Sequence, residues 1–260
     1  MINYARSSRR LFALACVLLL VGGCTVRSIS NSGYGAGRGG DNPFYRGELT
    51  ELDVLGIDVQ HPISDADIAR ELERRHRVEV RKGAVLLVLQ SGALMPDEPM
   101  LKALLPYFSV TPFSGVPVSA LDRAPVHLAS AGTSSGNQTP GPTYASMLRL
   151  AAARSGADTI VCYWGMLESG IENQMTKAIS WVPIVGAAVP DQTQHMRIRL
   201  KMALIDVRTG DWSVFVPEAQ TDSTLSAALN RGASDQEQVA ALKEAGYKAA
   251  AAQLVAKYTP

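Results

Sequence analysis

Two uninterrupted apolar runs constrain the fold of this chain more than any other feature. They are Ala84-Val85-Leu86-Leu87-Val88-Leu89 and Thr159-Ile160-Val161-Cys162-Tyr163-Trp164. Each is too short for a buried helix, and Gly83, Gly92 and Gly156 punctuate their flanks. Short apolar runs bounded by turn residues read as strands covered on both faces, the pattern of a sheet sandwiched by helices. The two runs are therefore expected to lie side by side at the centre of one sheet.

The segments between them supply the cover. Ser64 with Asp67 forms a capping box, followed by Ile68, Ala69 and Leu72 at helical spacing up to about residue 76. Residues 97–107 read as a short helix. Residues 108–113 read as a strand that Pro112 assigns to an edge or a strand end. Tyr144, Met147, Leu148, Ala151 and Ala152 mark one packed face of a helix over 143–155, with Gly156 as its stop. After the strand at 159–167 comes an alternating segment. Ile198, Leu200, Met202 and Leu204 point one way, and Arg197, Arg199 and Lys201 point the other. Arg208-Thr209-Gly210-Asp211 turns the chain, and Trp212, Val214 and Val216 alternate on the return. Ser234 and Glu237 cap a last helix whose buried face is Val239, Leu242, Gly246, Ala249, Ala250 and Leu254. The fold class is α/β: a single mixed-sheet domain of strand, helix, strand, helix, strand, then a β-hairpin and a C-terminal helix.

The first residues decide where such a domain sits. Arg6, Arg9 and Arg10 precede an apolar stretch over 11–21, about half the roughly 20 residues a bilayer span needs. Val21-Gly22-Gly23-Cys24 ends it and resembles a bacterial lipobox. The resemblance implies that Cys24 takes a diacylglyceryl group on its thiol, becomes the N-terminus after cleavage, and anchors the protein to a membrane. Thr25 rather than Asp after that cysteine implies the outer membrane, facing the periplasm. The expected organisation is a signal peptide over 1–23, a lipidated Cys24 with a Gly/Ser-rich tether over 24–47, and a periplasmic domain over 48–260.

Composition excludes more than it proposes. Lys plus Arg is 25 against 24 Asp plus Glu, so no basic excess speaks for a nucleic-acid partner. Of three cysteines, Cys16 lies in the signal and Cys24 takes the lipid. Cys162 is left without a disulfide partner and reads as a small buried strand residue. Two motif matches fail on their context. Gly35-Ala36-Gly37-Arg38-Gly39-Gly40 fits a dinucleotide fingerprint by letter but lacks the strand and helix that it needs. Gly132-Thr133-Ser134-Ser135-Gly136 fits a nucleophile elbow but runs into Pro140 and Pro142 where a helix must follow. His61, His76, His127 and His195 have no partner at ligand spacing. No cofactor, metal site or catalytic residue is expected.

Two junctions carry a wider resemblance. Residues 151–160 (Ala151 to Gly156-Ala157-Asp158-Thr159-Ile160) and Leu204-Ile205-Asp206-Val207-Arg208-Thr209-Gly210-Asp211-Trp212 resemble a superfamily of envelope lipoproteins. It includes the curli-secretion lipoprotein, the lipoprotein activator of penicillin-binding proteins and the amino-terminal domain of TolB. The resemblance implies a small layered α/β domain that works by binding protein or assembling with itself, not by catalysis. A periplasmic hydrolase of peptidase type, with a site invisible in sequence, is the alternative. The expected contact residues are Trp181, Val182, Ile184, Val185 and Val189, read as an apolar loop broken by Pro183 and Pro190, together with the basic face Arg197, Arg199 and Lys201. The expected partners are the membrane, through the lipid, and an envelope protein or a second copy of the chain.

Overall fold

The computed structural model describes residues 27–32, 42, 45–57, 63–74, 78–117, 142–173, 178–183, 194–224 and 231–260. These form eight strands and five helices. In chain order they are β1 (Arg27–Ser28), a 3₁₀ turn (Ile29–Asn31), α1 (Glu51–Leu55), α2 (Asp65–Glu73), β2 (Val85–Gln90), α3 (Glu98–Leu104), β3 (Ser109–Phe113), α4 (Tyr144–Arg154), β4 (Thr159–Asn173), β5 (Ala178–Pro183), β6 (Gln194–Asp206), β7 (Trp212–Phe215), β8 (Gln220–Thr224) and α5 (Arg231–Tyr258).

All eight strands share one sheet, whose main path runs β3-β2-β4-β6-β7. The two apolar runs are neighbours, as expected: β2 and β4 pair in parallel, with Leu87 opposite Ile160 and Leu89 opposite Cys162. β2 also pairs in parallel with β3, where Pro112 sits on the strand at the end of that path. β4 and β6 then form a long antiparallel ladder from Thr159↔Asp206 to Ile171↔Gln194. That ladder outruns the rest of the sheet. The other edge of β4 is shared in turn by β2 at residues 159–163, β1 at 166–167 and β5 at 168–173. The far half of the ladder is therefore an arm, flanked by β5 on one side and β8 on the other.

Helices cover both faces, which is why β2 and the start of β4 are apolar throughout. On one face Leu86, Val88, Val161, Ile198, Leu200, Met202 and Leu204 pack with α3 and α5. On the other Leu87, Leu89, Ile160, Cys162, Ala203 and Ile205 pack with Val54 of α1 and Leu148 and Ala152 of α4. Gly246 lets α5 lie close, because a Cβ there would sit 2.8 Å from Ile198 Cγ2. Cys162 is buried and free, and burial pushes its thiol pKa well up.

Several expectations change. Within the stretch expected as a tether, residues 27–28 pair with β4 and Ile29 is buried. Pairing with β4, not local sequence, orders this stretch. Residues 181–183 belong to strand β5 rather than to a loop. Pro183 is the last residue of that strand, where a missing N–H is tolerated. Helix α2 has its capping box but buries nothing, with Ile68 and Leu72 exposed. On α4 Met147 is exposed and Ala145 is buried instead. The last helix begins at Arg231, ahead of Ser234, and its buried face includes Tyr247 and Tyr258.

Candidate functional site

Open α/β sheets bind ligands in the crevice beyond the carboxyl ends of the strands, where the strand order reverses. In this chain that point is the end of β2. Parallel neighbours flank β2 on both sides, and the helices that follow β2 and β3 cover opposite faces. Its last residue, Gln90, leads into Ser91 and Gly92. Gly92 has φ +78°, a left-handed conformation in which a Cβ would also press on the Tyr45 ring at 2.7 Å.

The chain fills this crevice itself. β1 pairs with β4 just past the point where β2 ends, and the 3₁₀ turn then crosses the end of β2. There Ser30 Oγ donates to the Ser91 carbonyl at 2.5 Å and accepts from Gln90 Nε2 at 2.9 Å. Asn42 Nδ2 donates to the Ser30 carbonyl at 3.0 Å. Ser91 Oγ accepts from the Leu49 amide at 2.8 Å, which fixes the segment entering α1. We call residues 27–32 the strap.

Below the strap lies a polar lock. Gln90 Oε1 accepts from the Tyr163 hydroxyl at 2.6 Å and from the Asp97 amide at 2.8 Å. Asp97 Oδ2 accepts from the Tyr247 hydroxyl at 2.5 Å and pairs with Lys243 Nζ at 2.9 Å. Lys243 Nζ also donates to the Ile29 carbonyl at 3.0 Å, so α5 holds the strap directly. The Tyr163 and Tyr247 rings meet edge to face, 5.8 Å apart. Burial pushes both phenol pKa values well up, so both stay protonated as donors. The groups of this lock satisfy one another. What remains is a cavity of about 190 Å³ lined by Ser30, Ser32, Asn42, Gln90, Leu94 and Asp97 among others. That is smaller than the roughly 300–1,000 Å³ of ordinary ligand pockets. Among the described residues no group of three His, Cys, Asp or Glu is placed to hold a metal.

Glu48 is the incompletely hydrogen-bonded member of the site. Its Oε1 accepts from the Tyr45 hydroxyl at 3.4 Å, while its Oε2 is buried with no hydrogen-bond partner. Loss of water raises its pKa, while the nearby hydroxyls of Ser28, Ser91 and Tyr45 pull the other way. Burial and the neighbouring carboxylate together push Tyr45 up to about 12.

The residues singled out in the sequence fall elsewhere. Arg197, Arg199 and Lys201 do share one face of β6, but acids meet them. Arg197 and Arg199 both pair with Glu168, and Lys201 pairs with Glu51 at 2.5 Å. Trp181 and Val182 lie on β5, opposite Gly170 and Ser169. Cys24, Ile184, Val185, Val189 and Gly132 to Gly136 lie outside the described residues. The strap and its lock escaped the sequence reading. A Gly/Ser-rich stretch gave no apolar periodicity, and the bonds that tie the strap to Gln90 and Lys243 join residues 60 and 214 positions apart. The usable signal was Gln90, a polar residue ending an apolar run.

A family model, YafT bacterial lipoprotein, matches residues 50–257. The chain belongs to that family. The match spans α1 to α5 and most of the lock, and it makes the protein a bacterial lipoprotein of the cell envelope. No curated protein and no solved structure matches the chain. Among the described residues no helix is long and apolar enough to cross a membrane.

Proposed function

We propose that the protein is anchored through acyl chains on Cys24 in the outer membrane, faces the periplasm, and acts without catalysis as a protein-binding or self-assembling part of the envelope. One observation carries this reading. The crevice where an α/β sheet of this kind would take a small ligand is occupied by the chain's own strap, bonded to Gln90, Ser91 and Lys243. Binding then falls to the outer surface. Thr25 after Cys24 and the resemblance of residues 151–160 and 204–212 to envelope lipoproteins point the same way.

Metabolic labelling with a palmitate analogue, comparing wild type with Cys24→Ser, tests the anchor. The variant is expected to lose the label and to persist as uncleaved precursor. Label retained by Cys24→Ser would refute it. Crosslinking in intact cells followed by mass spectrometry tests the binding role. Specific crosslinks to one envelope protein or to a second copy are expected, and a monomer without crosslinks would count against it.

A further inference from the structure

Helix α2 presents its apolar stripe to solvent. Ile68 and Leu72 stand four residues apart on it and share one face, which in an amphipathic helix ordinarily packs on the core. Here Ile68 is 51% and Leu72 81% exposed, and no residue of α2 is buried. Arg74, the residue that ends the helix, reaches Asp211 beside the β6–β7 turn at 3.6 Å. At 3.6 residues per turn Arg74 lies nearly opposite Leu72, so the stripe is turned away from that contact. Local chemistry accounts for part of the pattern. Ile63 and Ile68 stand at N′ and N4, the positions of a hydrophobic staple. Leu72 lies outside that motif.

We propose that this stripe is the docking site for a basic amphipathic helix of another envelope protein. The inference deepens the protein-binding role given above and rests on it. Charge selects the occupant. By the same helical geometry Asp65 and Glu71 flank the stripe on either side, whereas Arg70 and Arg74 lie on the far side of the helix. Those two arginines already meet acids of this chain, Arg70 with Asp67 at 3.1 Å, and Arg74 with Glu71 and Asp211. A partner laid on Ile68 and Leu72 therefore finds carboxylates at its edges. A helix with Leu or Ile three and four residues apart, edged by Lys or Arg, completes both the apolar contact and the ion pairs. The same charges disfavour two other occupants. An anionic bilayer would face Asp65 and Glu71, where membrane-surface helices carry Lys and Arg. A second α2 would lay one acid-edged stripe on another, and like charges across an interface repel. The exposed Trp212 follows Asp211, so an aromatic of the kind that anchors interfaces stands at the same end of the molecule.

Site-specific photo-crosslinking in intact cells tests this. The full chain carries p-benzoylphenylalanine in place of Leu72 or, as a control, in place of Leu94, which is exposed elsewhere. Mass spectrometry identifies the crosslinked peptide. The expected result is a product from the Leu72 site and not from the Leu94 site, on one envelope protein. Its sequence should show apolar residues three or four apart, edged by Lys or Arg. Asp65→Lys combined with Glu71→Lys is expected to cut the yield about tenfold, since each acid that faces a base becomes a like charge. The melting temperature of that variant should match wild type, because α2 buries nothing. The proposal is overturned by an unchanged yield in the double variant, or by a melting temperature that falls with it. A product on lipid, on a second copy of this chain, on a segment without basic residues, or equally from Leu94 overturns it too. A chain that crosslinks to an envelope protein through its lysines yet gives nothing from the Leu72 site keeps the binding role and loses this docking site. No crosslink by either route removes both.

Discussion

Gly165 shows how a single residue admits the strap. It lies on β4 opposite Leu200, and a Cβ added there would overlap the Ile29 side chain, with Ile29 Cγ2 at 2.8 Å. Ile29 is fully buried, so it has nowhere to retreat. Gly165→Ala is expected to cost about 1–3 kcal/mol by overpacking, more than the fraction of a kcal/mol that Ala gains over Gly in a strand. Ile29→Ala alone is expected to cost about 2–5 kcal/mol. Because the two touch, the double variant should lose less than the sum. Urea unfolding of all four chains measures this, and strict additivity would show that the contact is not what excludes a side chain at 165. Glu48 makes a second expectation, of opposite chemistry. Its pKa is raised in the fold, chiefly by lost water, so between the ordinary carboxylate range and the raised value the folded chain holds more proton than the unfolded one. Stability from this group therefore falls as pH rises through that window. Glu48→Gln removes the titration while keeping a hydrogen-bonding side chain. Its stability relative to wild type should rise from acid to neutral pH, read as paired unfolding curves across that range. A difference that does not move with pH would place the burden on some other group.

At the scale of elements, α2 separates local from global stability. Ser64 accepts from the Asp67 amide and Asp67 accepts from the Ser64 amide at 3.1 Å, a closed capping box. Yet no residue of α2 is buried. Ser64→Ala should weaken the helix by about 1 kcal/mol. Hydrogen exchange over Asp65–Glu73 is expected to quicken while the global melting temperature stays within the error of measurement. A lowered melting temperature would mean that α2 is bound to the core after all. The same helix shows what the sequence could convey. Its cap is local chemistry and was legible, as were the double-sided burial of β2 and β4 and the alternation of β6, since each is written in consecutive residues. Its packing was not, because 3.6-residue spacing of Ile68 and Leu72 shows that a face exists but not that anything lies against it. β1 and β5 were illegible for the converse reason. Two residues of Arg27–Ser28 and six of Ala178–Pro183 have no decisive pattern of their own and become strands because β4 is long enough to offer them an edge. The basic residues of β6 were found, but their partners Glu168 and Glu51 come from β4 and α1, and only the register brings them together.

For the whole molecule, the strap decides whether the sheet and α5 act as one body with the N-terminal segment. β1 fills the notch on β4 between β2 and β5, Ile29 enters the core beneath α5, and Lys243 ties the strap to Asp97. Without these residues the backbone of Met166 and Leu167 would lose its pairing on that edge. Ser30 would no longer bond Gln90 or the Ser91 carbonyl, and Lys243 would keep only Asp97 of the two groups it bridges. A chain beginning at Gly33 is therefore expected to be less stable than one beginning at Thr25 by at least the cost of emptying the Ile29 site, about 2–5 kcal/mol. It should unfold in a single transition, since β2, β4 and α5 share one core. Urea curves of the two soluble chains decide it. If both unfold at the same midpoint, the strap is a loose cover and not part of the folded body. If the shorter chain is destabilised with its slope unchanged, the strap is part of the folded body.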